Sequence, residues 1–94
     1  MEDSEKITRR FMPEIIRRYR NEAGLSQQQL ADSAGISKGF ISSIESGRSA
    51  VSIDVLVQLA DALNVPADTL IKELVDKAYG YEAARPALGK DNRP

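Results

Sequence analysis

Residues 27–46, QQQLADSAGISKGFISSIES, decide how the chain is read. They spell two short helices joined by a tight turn. Ser26 precedes the first helix and Gln29 stands three residues on. In this capping-box pattern a Ser hydroxyl and a Gln side chain each satisfy an N-terminal backbone N–H. Leu30, Ala31 and Ala34 give the first helix an apolar face. The run Ala34-Gly35-Ile36 breaks it, because Gly35 adopts a left-handed backbone at little cost. Ser37 is a natural N-cap for the second helix. Ile41 and Ile44, three apart, form its inward face and leave Lys38, Phe40, Ser42 and Ser43 outward. Gly47 is a stop signal. Two helices crossing steeply through a Gly-containing turn make a helix-turn-helix unit.

Composition excludes whole classes of chemistry. At 94 residues the chain forms one domain at most, with a core small enough for dimerisation to be a useful addition. It has no Cys and no His, which removes disulfides, zinc fingers and His-based catalysis. No metal and no cofactor are expected, and enzymatic activity has little to rest on without a phosphate loop or paired carboxylates. The acidic start Met1-Glu2-Asp3 lacks the apolar run of a secretory signal. No stretch approaches the ~20 apolar residues that span a bilayer. A soluble cytoplasmic protein with no membrane partner is the expectation.

The net charge is −1, but the charge is unevenly spread. Between Lys6 and Arg20 six basic residues (Lys6, Arg9, Arg10, Arg17, Arg18, Arg20) face Glu14 alone, a local +5. From Ser49 onward five basic and seven acidic residues leave −2. A basic front and an acidic back suit a protein that presents one face to a polyanion. The alternative is that the arginines only solvate a helix.

Outside the motif, the remaining elements follow from periodicity and punctuation. Residues 1–12 form either a short amphipathic helix, with Ile7 and Phe11 four apart, or a frayed arm. Pro13 restricts Met12 to extended geometry and suits the first position of a helix, so the first firm helix is expected over Pro13–Ala23, buried through Ile15, Ile16 and Tyr19 and ended by Gly24. Ser52 caps a fourth helix with Asp54 in its first turn and an apolar stripe of Val55, Leu56, Leu59, Ala60 and Leu63. Asn64-Val65-Pro66 ends it and starts a fifth, with Pro66 at the first position and Leu70, Ile71, Leu74, Val75 and Ala78 along it to about Tyr79. Residues 80–94 read as a flexible tail. The expected fold is all-α: five helices, with helices 2 and 3 forming the helix-turn-helix.

The run GLSQQQLADSAGISKGFISSIESG resembles the Cro/repressor-type (XRE-like) helix-turn-helix family of bacterial and phage transcription regulators. The resemblance continues through Ser52-Ile53, Leu56, Leu59-Ala60, Ala62-Leu63-Asn64-Val65 and Asp68-Thr69-Leu70, so it covers roughly residues 13–74. It implies a compact lambda-repressor-like domain with helix 3 in the major groove of double-stranded DNA. It also implies an Arg20–Glu45 ion pair tying helix 1 to helix 3. Such a pair is a buried scaffold worth ~3–5 kcal/mol when one partner is lost, or an exposed one worth ~0–1 kcal/mol.

In that frame each residue has a role. A recognition helix reads base edges with its N-terminal residues. Lys38 is the candidate for guanine N7 and O6, and Ser42 and Ser43 are permissive readers. Phe40 either meets thymine methyls or is half-buried between helices. Gly39 offers no base contact and either permits close approach or leaves readout to its neighbours. Direct readout is therefore thin, and DNA shape is expected to carry part of the specificity. Candidate phosphate contacts are Ser26, Gln27 and Ser37 at helix N-termini, Arg48 past the motif, and Arg17, with Arg18 adding long-range attraction.

Members of the family usually bind pseudo-palindromes as symmetric dimers. The candidate homodimer surface is helix 5, through Leu70, Ile71, Leu74, Val75 and Ala78, joined by Val65 and Tyr79; otherwise helix 5 folds back on its own core. With no second domain in view, a small autonomous regulator is expected: a phage-type repressor, a restriction–modification controller or an antitoxin. The rival reading is a protein-interaction module, an antitoxin or adaptor that binds a protein partner through the C-terminal helix or tail and has weak or no specific DNA binding. The acidic composition and thin readout set keep it open.

Overall fold

The computed structural model describes the backbone of residues 2–80 and the side chains from residue 6 to residue 80; the expected tail beyond residue 80 lies outside the described residues. The described elements are α1 (Glu2–Glu22), α2 (Gln27–Ala34), α3 (Lys38–Glu45), α4 (Ile53–Leu63) and α5 (Ala67–Tyr79). Wholly buried Met12, Ile15, Ile16, Leu30, Ile41, Ile44, Leu59 and Leu70 bring all five helices onto one core.

The caps set the boundaries of the motif. Ser26 Oγ accepts from Gln29 N–H at 3.0 Å, and Ser26 N–H donates to Gln29 Oε1 at 2.8 Å. Gly35 turns the chain at φ 75°, and its N–H closes α2 onto the Ala31 carbonyl. Ser37 Oγ accepts from Phe40 N–H at 3.0 Å and opens α3. Ser52 does the same for Val55 at 3.2 Å and opens α4. Ser-to-Ala at such a cap costs about 1 kcal/mol.

α1 differs from its sequence reading. It neither begins at Pro13 nor leaves Met12 extended, but runs unbroken through both residues. Pro13 has no N–H for the Arg9 carbonyl, a defect that costs about 3 kcal/mol in a helix interior. Burial outweighs it: Met12, Ile15 and Ile16 are each fully buried, at roughly 1.5–3 kcal/mol apiece. Thr8 Oγ1 also accepts from Val51 N–H at 3.2 Å, which fastens the upstream turn to the linker after α3. Gly47, at φ 82°, packs against this segment so closely that a Cβ would lie 3.1 Å from the Arg9 carbonyl oxygen.

α5 brings two further corrections. Pro66 is the extended residue before the helix (φ −66°, ψ 140°) rather than its first residue; lacking an N–H, it contributes only its carbonyl, which accepts from Thr69 N–H at 3.0 Å. Leu70, expected at a dimer surface, is fully buried, because it sits on the α5 stripe that closes the core. Val65 and Leu74 are half-buried against the same core. Ile71 and Tyr79 are exposed, and Val75 and Ala78 are half-buried.

Arg18 ties α1 to α5 through its Nη2, which donates to both carboxylate oxygens of Glu73, to Oε1 at 2.6 Å. Burial pushes the Glu73 carboxyl up, but hydrogen bonds from Arg18 and Tyr19 and the charges of Arg18 and Lys77 outweigh it and hold it below its ordinary 4.5. A carboxyl depressed in the folded state stabilises the protein above its unfolded value and loses that contribution as pH falls through the folded value. Urea titrations at pH 7, 5, 4 and 3 should therefore show a Glu73-dependent loss beginning below about pH 4.5. Glu73→Gln should remove that component. Arg18 keeps 41% of its side chain exposed, so the step is at most about 1 kcal/mol. An unchanged acid limb in the variant would assign the loss to other carboxylates.

Candidate nucleic-acid interface

α3 presents its first turn to solvent. Ser37, Lys38 and Gly39 are exposed, and Ser42 and Ser43 are half-buried beside them. Phe40 departs from the outward placement: it is half-buried against the core, as is Ile36 in the α2–α3 turn. Arg48 is exposed past the end of the helix, its Nη2 3.5 Å from Ser43 Oγ, a separation at the outer limit of a hydrogen bond. Ser26 is exposed at the start of α2 with its hydroxyl engaged as a cap.

Glu45 locks this face to the rest of the fold. It is 6% exposed, and its carboxylate accepts three hydrogen bonds: Arg20 Nε at 2.7 Å, Arg20 Nη2 at 3.0 Å and Gln27 Nε2 at 3.0 Å. Arg20 Nη1 donates to the Leu25 carbonyl at 2.9 Å, so the guanidinium also holds the α1–α2 junction. The hydrogen bond to Glu45, helped by its charge, raises the Arg20 pKa against the opposing effect of burial. Arg17 Nη1 donates to the Glu45 backbone carbonyl at 2.9 Å, where a cation also suits the negative end of the α3 dipole. Three helices thus converge on one glutamate, and α3 is fixed in tilt and depth.

Two candidate phosphate contacts are used differently here. The Gln27 side-chain amide is bound to Glu45, which leaves this position the backbone N–H of the first turn of α2, a group without an intrahelical acceptor. Arg17 remains exposed but commits one of its donors to α3. Neither bond was foreseen from the sequence, although Arg17 and Arg20, three apart on one helix, lie on the same face. Gln58 was also missed; its Nε2 donates to the Ala34 carbonyl at 3.3 Å and holds α4 against the end of α2. Lys6, Arg9 and Arg10 are exposed on α1, near the linker that carries Arg48.

A 460 Å³ depression between α1 and α5, lined by Tyr19, Thr69, Lys72, Glu73, Asp76 and Lys77, is separate from this face. Its charged groups pair among themselves and with α1: Lys72 with Asp76, Glu73 with Arg18, Lys77 with Glu14. Among the described residues no helix is long and apolar enough to cross a membrane.

Comparison with known proteins agrees with this architecture. A helix-turn-helix family model, HTH_3, matches residues 16–70. The chain is 38% identical over 61 residues to the control protein C.SmaI of Serratia marcescens, covering 65% of this chain and 73% of that one. The crystal structure of the clp gene regulator ClgR from Corynebacterium glutamicum superposes with a TM-score of 0.67 at 26% identity, over 74% of this chain and 91% of that chain. That of the restriction-modification controller protein C.AhdI from Aeromonas hydrophila gives 0.58 at 30% identity, over 74% and 98%. Two other curated relatives are longer, the chain spanning 40% of one and 35% of the other. The chain belongs to the Cro/C1-type helix-turn-helix family of DNA-binding transcriptional regulators, and its fold is the lambda-repressor-like five-helix domain. These relatives are regulators and controllers rather than enzymes.

Proposed function

We propose that the protein is a sequence-specific regulator that binds a pseudo-palindromic operator as a homodimer, with α3 of each copy in a major groove. The observation that carries this reading is the Glu45 hub, which holds the exposed first turn of α3 in a fixed pose against α1 and α2. Lys38 is the direct reader, a donor to guanine. Ser42 and Ser43 contribute permissive contacts, and the rest of the specificity comes from DNA shape. Arg48, Ser26, Ser37, Arg17 and the Gln27 backbone amide meet phosphates and set the register. Similarity to two controller proteins favours an autogenous controller, a small cytoplasmic regulator acting by dose near its own gene.

Selection from a random duplex library at physiological salt tests the proposal. The expected product is a two-fold symmetric site bound ~10³-fold or more tighter than scrambled DNA. Weak, salt-sensitive binding with no enriched site would instead favour a protein-interaction module. On the selected site Lys38→Ala should relax preference at one base position, at about 1–3 kcal/mol. Arg48→Ala should weaken binding to every sequence and flatten the salt slope by about one unit. Equal loss on all sequences for the Lys38 variant would reassign that residue to a phosphate.

A further inference from the structure

Five glycines lie among the described residues, and four are required by the backbone: Gly24, Gly35, Gly47 and Gly80 have φ between 62° and 82°. Gly39 is different. It is the second residue of α3, without a positive φ, and a Cβ built there would meet nothing closer than Ser37 Oγ at 4.0 Å. The fold has room for a side chain at this position and would gain helix propensity from one, since Gly is the poorest helix former after Pro. The domain therefore carries an unfavourable residue that neither its backbone nor its packing calls for.

Position explains what the interior does not. Two residues before the buried Ile41, Gly39 lies on the far side of the helix from the Ile41–Ile44 face, exposed between Lys38 and the capped turn. We infer that Gly39 is a specificity-determining residue for operator binding: its missing side chain lets the α3 backbone seat against the base edges, at a depth where Lys38 reaches its base. Glycine serves wherever a backbone must approach a ligand closely. This inference rests on α3 entering the major groove. It adds that the space beside Gly39 is filled by DNA, so a methyl group there would lift the helix off its bases while leaving phosphate attraction intact.

The test uses the full chain and its Gly39→Ala variant, with the selected operator and a scrambled duplex as probes. The wild-type titration is scored first: failure to prefer any site would overturn the DNA reading itself, and this inference with it. Given a wild-type preference, Gly39→Ala should raise the melting temperature of the free protein by about 2–5 °C. It should also lower operator affinity about tenfold or more, the scale of one lost base contact, and change affinity for scrambled DNA less than about twofold. A structural glycine would move stability in the opposite direction. Unchanged operator affinity, or equal loss on both duplexes, would overturn the assignment. A Gly39→Gln variant should lose operator affinity further and shift the selected sequence at the base pairs under the first turn of α3.

Discussion

Glu45→Ala is expected to lose about 3–5 kcal/mol of folding stability, much of what a domain of this size has. The Glu45 side chain is 5% exposed and that of Arg20 13%, so removing the acid strands a nearly buried guanidinium. It also leaves the Gln27 amide without its acceptor. The cost is that of an uncompensated charge rather than the net worth of the pair. Replacing both partners, as in Arg20→Met with Glu45→Leu, should recover most of the loss, because two apolar side chains of similar volume need no desolvation of ions. Thermal unfolding checks this directly: at 4–8 °C per kcal/mol for a small domain, the single variant should melt more than about 12 °C lower. A loss below about 1 kcal/mol would mean that the pair behaves as a solvated surface bridge. The double variant separates stability from function. It should fold, yet bind operator poorly, because its α3 keeps only the Arg17 bond to the backbone carbonyl at position 45 and has lost the three side-chain bonds that help fix its pose.

What the sequence disclosed and what it hid divide along a physical line. The motif was legible because its signals are local: the Ser26–Gln29 box, Gly35 in the turn, the Ser37 cap and the Ile41–Ile44 spacing each act within four residues. The same holds for α4, opened by Ser52 and closed by Asn64 in a left-handed conformation. α1 was misread because a local rule, Pro13 as helix starter, met a tertiary force that periodicity could not weigh. Met12 and Thr8 make their contacts only once the linker through Val51 has folded back on them. Leu70 was misassigned for a related reason. An apolar helix face looks the same in sequence whether it meets its own core or a second copy, and only placement on the core distinguishes Leu70 from Ile71. In the candidate site, the exposed Lys38 and Arg48 could be picked out by position in the motif. The Gln27 and Arg17 bonds to Glu45 needed three helices in place.

Ile71→Glu is expected to convert the proposed dimer to a monomer and to lower operator affinity a hundredfold or more, with little effect on the fold. Ile71 is 37% exposed and lies on a belt of apolar groups that one copy leaves uncovered: Ile53 at 64%, Val57 at 50% and Tyr79 at 58%. Two grooves that meet at Thr8 and Leu74 link Ile53, Ile71 and Tyr79, and Val57 lies one turn along α4 from Ile53. A 110 Å³ groove lies between Ile53, Leu56 and Ile71, and a 220 Å³ groove between Ile7, Leu74, Val75 and Tyr79. Single exposed apolar residues are ordinary, but a contiguous set marks an interaction surface. The lengthened α1 contributes Ile7 and Thr8 to this belt, which extends it beyond α5. In a two-fold interface each substitution appears twice, so one glutamate introduces two carboxylates into the same apolar contact. Affinity falls steeply because the second half-site is otherwise engaged at an effective concentration set by the linked partner, and a monomer forfeits that gain. Sedimentation and operator titration read the two effects separately. A halved mass, an unchanged half-site affinity and a melting temperature near that of dilute wild type would place the dimer contact on this belt. A variant that stays dimeric and binds the full operator normally would remove α5 from the interface and leave the belt to a different partner.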